Sequence, residues 1–252
     1  MANTVWVITG ANRGIGLGLV RALLARPSNT IIGTVRNAAA ESSLKEETST
    51  ITPGANSILH IIQLEFSTAL PAETIIATFT PLNLPHIDVL IANAGFSTPM
   101  TPALTTSPSD MRACFETNTI APLVLFQALW PLLQNSPTGS PKFISISSSV
   151  GSLAAQEPVP GGAYGPSKAA MNWFTKALHL QHGNEGLVAV AVHPGWVQTR
   201  MGDLAARDWE YAKGPPETVE GSVRGILSVV DGATREGSGG RFLMYTGGEL
   251  PW

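Results

Sequence analysis

Residues Thr4–Thr9 (TVWVIT) form an unbroken apolar, β-branched run that stops at Gly10-Ala11-Asn12-Arg13-Gly14-Ile15-Gly16. Apolar residues at helical spacing follow, Leu17, Leu19, Val20, Leu23 and Leu24, as far as Pro27. The first run suits a strand buried on both faces, since a half-exposed strand would alternate. Strand, glycine-rich turn and helix in that order make the layout of a dinucleotide phosphate site. Gly10 permits a tight turn, Gly14 a close approach of backbone to a diphosphate, and Gly16 close packing of the helix on the strand. The spacing is GxxxGxG rather than GxGxxG, so the flanking strand and helix carry as much of the reading as the glycines.

The alternation continues along the chain. Residues 30–35, 57–64, 87–92, 143–147, 187–193 and 241–245 read as further strands. Residues 41–49, 71–79, 109–117, 123–133, 164–181 and 215–230 read as helices, with Pro122 expected to kink the path beside Asn118. Such alternation implies a parallel sheet covered by helices on both faces, with ligands bound beyond the carboxyl ends of the strands. No repeat or linker interrupts it, so residues 1–252 are expected to form a single α/β domain. Hydrophobic residues make up 44% of the chain and charged residues 13%, enough apolar surface for a large core.

Composition excludes several roles. A net charge of -3 gives no basic footprint, so neither nucleic acid nor an anionic membrane surface is an expected partner. Cys114 is the only cysteine, and the five histidines do not cluster, so no disulfide or metal site is expected. The longest apolar run, residues 122–133, contains Gln127 and Pro131 and is too short to span a bilayer. Nothing resembles a signal peptide. The expectation is a soluble, cytoplasmic protein.

The expected strand ends gather polar and glycine-rich residues. The second strand ends at Arg36, where an acidic residue would bond the ribose hydroxyls of NAD. Arg36, with Arg13 in the glycine loop, offers guanidinium groups suited to a 2′-phosphate, which favours NADP(H). Glu65 follows the third strand, where it can meet an adenine edge, and the fourth runs into Asn93-Ala94-Gly95, an open turn suited to a flat cofactor. The fifth ends in Ser147-Ser148-Ser149 and the sixth in Pro194-Gly195, with Thr199 shortly after. Asn118, polar among apolar neighbours, needs a backbone partner and is structural, catalytic or both. Tyr164 and Lys168 stand four residues apart, one helical turn on one face. There an ammonium can lower a phenol's pKa and tune it for proton exchange.

Together these segments resemble the short-chain dehydrogenase/reductase family over essentially the whole chain. The matching residues are Thr9 with the glycine loop, Asn93-Ala94-Gly95, Asn118, Ser147-Ser148, Tyr164-Gly165-Pro166-Ser167-Lys168 and Pro194-Gly195. Ala92 replaces a commoner asparagine, and Glu65 a commoner aspartate. The resemblance implies a Rossmann fold, a doubly wound seven-stranded parallel sheet of order 3-2-1-4-5-6-7. It also implies a catalytic set of Asn118, Ser148, Tyr164 and Lys168. Cofactor contacts are implied for Gly10, Asn12, Arg13, Gly14, Ile15, Gly16, Arg36, Glu65, Asn93, Ala94, Gly95, Tyr164, Lys168, Pro194, Gly195, Val197 and Thr199. Many relatives place the serine about 13 residues before the tyrosine, which here is Gly151. The motif selects Ser148 ahead of Ser147 and Ser149, with a loop about three residues longer.

Residues 148–152, 193–199 and 240–252, ending in Glu-Leu-Pro-Trp, are more closely similar to the branch holding fungal norsolorinic acid ketoreductases and C-factor- and sniffer-like carbonyl reductases. The implied activity is NADP(H)-dependent reduction of a ketone or aldehyde, a small molecule of apolar or aromatic character. Tyr164 would donate the proton, Ser148 would bond the carbonyl oxygen, Lys168 would tune the phenol and hold the nicotinamide ribose, and Asn118 would hold a water. The competing readings are a non-catalytic NADP-binding regulator or scaffold on the same fold and a serine hydrolase, which lacks a G-x-S-x-G elbow. A lid is expected over residues 195–214, with Trp196, Met201, Leu204 and Trp209. Phe96, Met100 and residues 154–161 are the other candidate walls. Helices starting near Leu123 and Tyr164 are the expected faces of a homo-oligomer, dimer or tetramer, with Trp130 and Trp173 as either anchors or core.

Overall fold

The computed structural model describes residues 3–252. In chain order its elements begin β1 (Thr4–Thr9), α1 (Gly14–Ala25), β2 (Asn29–Val35), α2 (Ala38–Thr48), β3 (Ile58–Gln63), α3 (Ala72–Phe79) and β4 (Val89–Ala92). There follow α4 (Pro108–Phe115), a π-helical turn (Glu116–Ile120), α5 (Ala121–Gln134), β5 (Lys142–Ile146) and α6 (Tyr164–Gln181). The last elements are β6 (Val188–His193), α7 (Arg200–Asp208), α8 (Val219–Gly232), β7 (Phe242–Met244) and β8 (Glu249–Leu250).

All strands but the last join in parallel, and the order is β3-β2-β1-β4-β5-β6-β7-β8. The sequence order reverses beside β1, whose two neighbours are β2 and β4. Open sheets of this kind bind ligands at that reversal. Thr9 pairs with Thr34 and Ile8 with Ile91, so the three strands end close together.

Alternate side chains of each strand serve opposite layers. Trp6, Ile8, Ile31 and Ile91 pack on one face with Leu19 and Leu23 of α1 and Ile226 and Leu227 of α8. Val5, Val7, Ile32, Leu90 and Phe143 pack on the other with Ile75 of α3, Leu125 and Leu129 of α5 and Met171 of α6. Buried Asp88 pins the base of the sheet: it accepts the Val5 N–H at 2.8 Å and the Ser136 hydroxyl at 2.6 Å. No helix among the described residues is long and apolar enough to cross a membrane.

Three expectations change. An eighth strand joins the seven, because residues 249–250 turn back antiparallel onto β7. The lid is not all loop: Thr199 caps α7 by accepting the Gly202 N–H at 3.2 Å. The last long helix begins at Val219 rather than at residue 215, with Pro215 and Pro216 outside it. Thr218 caps it, accepting the Gly221 N–H at 3.0 Å. At the expected kink beside Asn118, Pro122 lies in the first turn of α5 directly after the π-helical turn. Having no N–H, Pro122 cannot bond the Asn118 carbonyl four residues back, which favours the wider turn there.

Candidate active site

The glycine loop is closed tightly against its neighbours. Gly10 has φ +67, and a Cβ there would stand 3.0 Å from Ala94 Cα. A Cβ on Gly16 would strike the Gly10 carbonyl and stand 2.6 Å from Asn93 Nδ2. The Asn93 turn is stapled to the end of β1. Its backbone N–H and that of Ala94 donate to Thr9 Oγ1 at 3.0 and 2.8 Å, and Nδ2 donates to the Thr9 carbonyl at 2.8 Å. A loop of backbone and glycine opening a helix is the structure an anion-binding turn requires.

Arg36 leaves the end of β2 exposed, and Asn37 caps α2 by accepting the Ala40 N–H at 3.0 Å. Arg13 is also exposed, and its pKa is lowered by partial burial and by the charges of Arg200 and Arg36. Among the described residues none of these three arginines forms an ion pair with a carboxylate, so the group suits a polyanion. Nothing local in the sequence marks Arg200. Glu65 is exposed beyond β3, with one carboxylate oxygen accepting the Ser67 N–H at 2.9 Å.

Asn118 is buried in the π-helical turn. Its Oδ1 accepts the Phe96 N–H at 2.8 Å; its Nδ2 donates to the Phe96 carbonyl at 2.8 Å and to Ser167 Oγ at 2.9 Å. Ser167 in turn donates to the Tyr164 carbonyl at 2.7 Å. The Asn118 side chain is thereby occupied in joining the chain after Gly95 to α6. A Cβ on Gly95 would lie 3.6 Å from Asn118 Oδ1 and 3.8 Å from Lys168 Nζ, so these groups converge on Gly95.

The three serines after β5 differ in partner. Buried Ser147 donates to Asn172 Oδ1 at 2.6 Å. Ser149 donates its backbone N–H to His193 Nδ1 at 3.1 Å. Ser148, extended at φ -159, is the one whose hydroxyl acts on the Tyr164 phenol, in the direction that lowers its pKa. Gly151 presses on α6, where a Cβ would meet that of Lys168 at 2.8 Å, so a serine at the shorter spacing would not fit.

Tyr164 opens α6, buried, with the Lys168 ammonium 5.5 Å from its ring centre. Lys168 Nζ donates to the Ile146 carbonyl at 2.8 Å. Burial lowers its pKa to about 8, which leaves it mostly charged at neutral pH. The four-residue spacing predicts a lowered phenol, but burial outweighs it and pushes Tyr164 well above its ordinary range. Cys114 behind it adds to the rise, while Ser148 pulls the other way. The Cys114 thiol is itself raised by burial. Burial lowers His193 to about 4, so at neutral pH it is uncharged and free to accept from Ser149. No group of metal-ligating side chains occurs among the described residues.

The lid rests on this centre. The Ser222 hydroxyl holds the Pro194 carbonyl at 2.6 Å, Gly195 has φ +84, and Val197 bridges to Glu217. Thr199 Cγ2 lies 3.3 Å from where a Gly14 Cβ would stand, so the lid's first residues touch the glycine loop. Trp196, Met201, Ala205 and Trp209 pack with Met100, Val150 and Tyr164. Two bonds latch the lid to the neighbouring loops: Asp208 accepts the Met100 N–H at 2.7 Å, and Trp209 Nε1 donates to the Pro160 carbonyl at 2.9 Å. Phe96, by contrast, is 42% exposed.

A family profile described as short chain dehydrogenase matches residues 4–209. Norsolorinic acid ketoreductase nor1 of Dothistroma septosporum is 36% identical over 99% of this chain and 92% of its own length. The NADPH-bound carbonyl reductase from chicken fatty liver is 31% identical and superposes with a TM-score of 0.83 over 100% of both chains. The carbonyl reductase Sniffer of D. melanogaster, 26% identical, also gives 0.83 over 100% of both.

Proposed function

The chain belongs to the short chain dehydrogenase family, and on that premise we propose that it is an NADP(H)-dependent carbonyl reductase acting on an apolar or aromatic ketone or aldehyde. The observation that carries the reading is the convergence of Asn118 and Lys168 on Gly95, with the Tyr164 ring beside the Lys168 ammonium and Ser148 acting on its phenol. The names of the relatives, a norsolorinic acid ketoreductase and two carbonyl reductases, support it.

The residues fit the cofactor. The glycine loop has no room for side chains on its inner side, and among the described residues Arg13 and Arg36 form no ion pair with a carboxylate. Gly10, Asn12, Gly14, Ile15 and Gly16 would hold the diphosphate, and Arg13 and Arg36 the 2′-phosphate. Glu65 would meet the adenine, and Asn93, Ala94, Gly95, Pro194, Gly195, Val197 and Thr199 would flank the nicotinamide half. The bound cofactor supplies the hydride.

The chain supplies position and a proton. Ser148 bonds the carbonyl oxygen and steadies its growing negative charge. Tyr164 gives that oxygen its phenolic proton. A phenol raised by burial is protonated throughout the neutral range, which suits donation to a carbonyl better than abstraction from an alcohol. Lys168 stabilises the phenolate left behind and would bond the nicotinamide ribose. Asn118 fixes the register between the Gly95 segment and α6 and, as the family resemblance implies, would hold a water. The apolar lid around Trp196 and Trp209 keeps bulk water from the reacting atoms.

We place the homo-oligomer contact on the outer face of α6, where Trp173 and Leu180 are 66% and 67% exposed. Trp130 is occupied internally, 4.4 Å from the His182 ring and 5.1 Å from Phe126. The activity is tested by the loss of NADPH absorbance with a panel of aromatic and aliphatic ketones and aldehydes. Steady turnover of an aromatic ketone is expected. Tight NADPH binding with no turnover of any panel member would favour the regulator instead.

A further inference from the structure

The loop between Ser148 and Tyr164 and the tail Glu249-Leu250-Pro251-Trp252 are far apart in sequence and joined in space. Ser152 is 2% exposed; its Oγ donates to the Pro251 carbonyl at 2.7 Å and accepts the Ala155 N–H at 3.0 Å. The Ala154 N–H donates to the Trp252 carbonyl at 2.9 Å. Between these bonds Leu153 is held outward, 78% exposed. The tail is itself fixed. Leu250 and Glu249 pair with Phe242 and Leu243, the Trp252 ring stacks on buried Phe242 at 5.8 Å, and Lys176 Nζ stands 5.3 Å from the indole centre. The far end of the loop is held separately, by Trp209 through the Pro160 carbonyl.

We infer that residues 249–252 form a clasp that positions the 152–163 loop as a wall of the carbonyl site, with Trp252 as its positioning residue. The loop joins the two side chains that meet the carbonyl oxygen, so its start must be fixed for both to face one substrate. Trp252 supplies that fixity at a distance: stacking anchors its backbone, and the backbone anchors Ala154. This inference rests on the carbonyl reductase reading for the substrate effect, and on contacts alone for the ordering of the loop.

The test uses the full chain with Trp252→Ala, Trp252→Phe and Ser152→Ala. Amide exchange of the 152–163 segment is read by mass spectrometry, NADPH affinity by fluorescence, and KM with the best ketone of the panel by absorbance. In both alanine variants loop exchange speeds up and KM rises by roughly 3- to 10-fold, the scale of one lost hydrogen bond, while NADPH affinity is unchanged. Trp252→Phe restores both. Unchanged loop exchange in both alanine variants overturns the clasp, as does an equal loss of NADPH affinity or a failure of phenylalanine to rescue. Ser152→Ala leaves the tail's stacking intact and keeps the test open if Trp252→Ala does not fold. If the wild type reduces no ketone, the functional reading falls while the exchange measurement still decides the clasp.

Discussion

His193 gives the account a titratable handle. Its Nδ1 accepts the Ser149 N–H at 3.1 Å, so the ring is neutral with its proton on Nε2. Burial lowers its pKa from 6.5 to about 4. The unfolded chain takes up a proton as pH falls through 6.5, and the folded chain does not until about 4. The contribution to stability is therefore fully present above 6.5 and lost progressively down to about 4. One proton costs about 1.4 kcal/mol per pH unit in that window, and a ring edge that keeps some water reduces the total to about 2–3 kcal/mol. Urea unfolding at pH 4.5 to 7.5 measures it. Other titrating groups are removed by comparison with His193→Asn, whose carbonyl can still accept from Ser149. The stability difference between wild type and variant should swing against the wild type by about 2 kcal/mol as pH falls from 7 to 4.5. A difference independent of pH would refute the buried neutral histidine, and with it the idea that this ring fixes the turn carrying Ser148.

Two further perturbations address the cofactor. Replacing Arg36 with Ala removes a charged donor for the 2′-phosphate; NADPH affinity should fall by about 1.5–3 kcal/mol in titration calorimetry while NADH is little affected. Equal losses for both would exclude that role. Gly16→Ala drives a Cβ into the Gly10 carbonyl and Asn93, a backbone overlap costing about 1–3 kcal/mol. It should lower the melting temperature by several degrees, roughly 2–10 °C, and NADPH binding should weaken with it. An undisturbed loop with wild-type affinity would contradict the tight-turn account.

Buried parallel strands announce themselves as continuous apolar runs, which is why β1, β4, β5 and β6 are legible within two residues. The two-residue β8 has no periodicity to read and exists only through its pairing with β7. Helix α7 follows a Pro-Gly turn and begins Arg-Met-Gly, which reads as loop. Thr199 ahead of it and Asp203 in its first turn were the local signs of a capped start. The candidate site is legible where one short segment brings its own geometry, as the glycine loop and the Tyr164–Lys168 turn do. It is illegible where a contact spans the chain. Ser167 meets Asn118, His193 meets Ser149, and Asp208 meets Met100, none with a local mark. The direction of the Tyr164 shift belongs to the same class, because burial by the lid and Met100 is a property of the assembled fold.

Tyr164→Phe removes one oxygen atom and leaves the ring that packs against Met100 and the lid. The decisive measurement is single-turnover NADPH oxidation by this variant, with NADPH affinity measured on the same preparation. If Tyr164 is the proton donor, turnover falls by at least about a hundredfold while the cofactor binds as tightly as in the wild type. Oxidation within a few-fold of the wild type, with unchanged binding, would contradict the assignment.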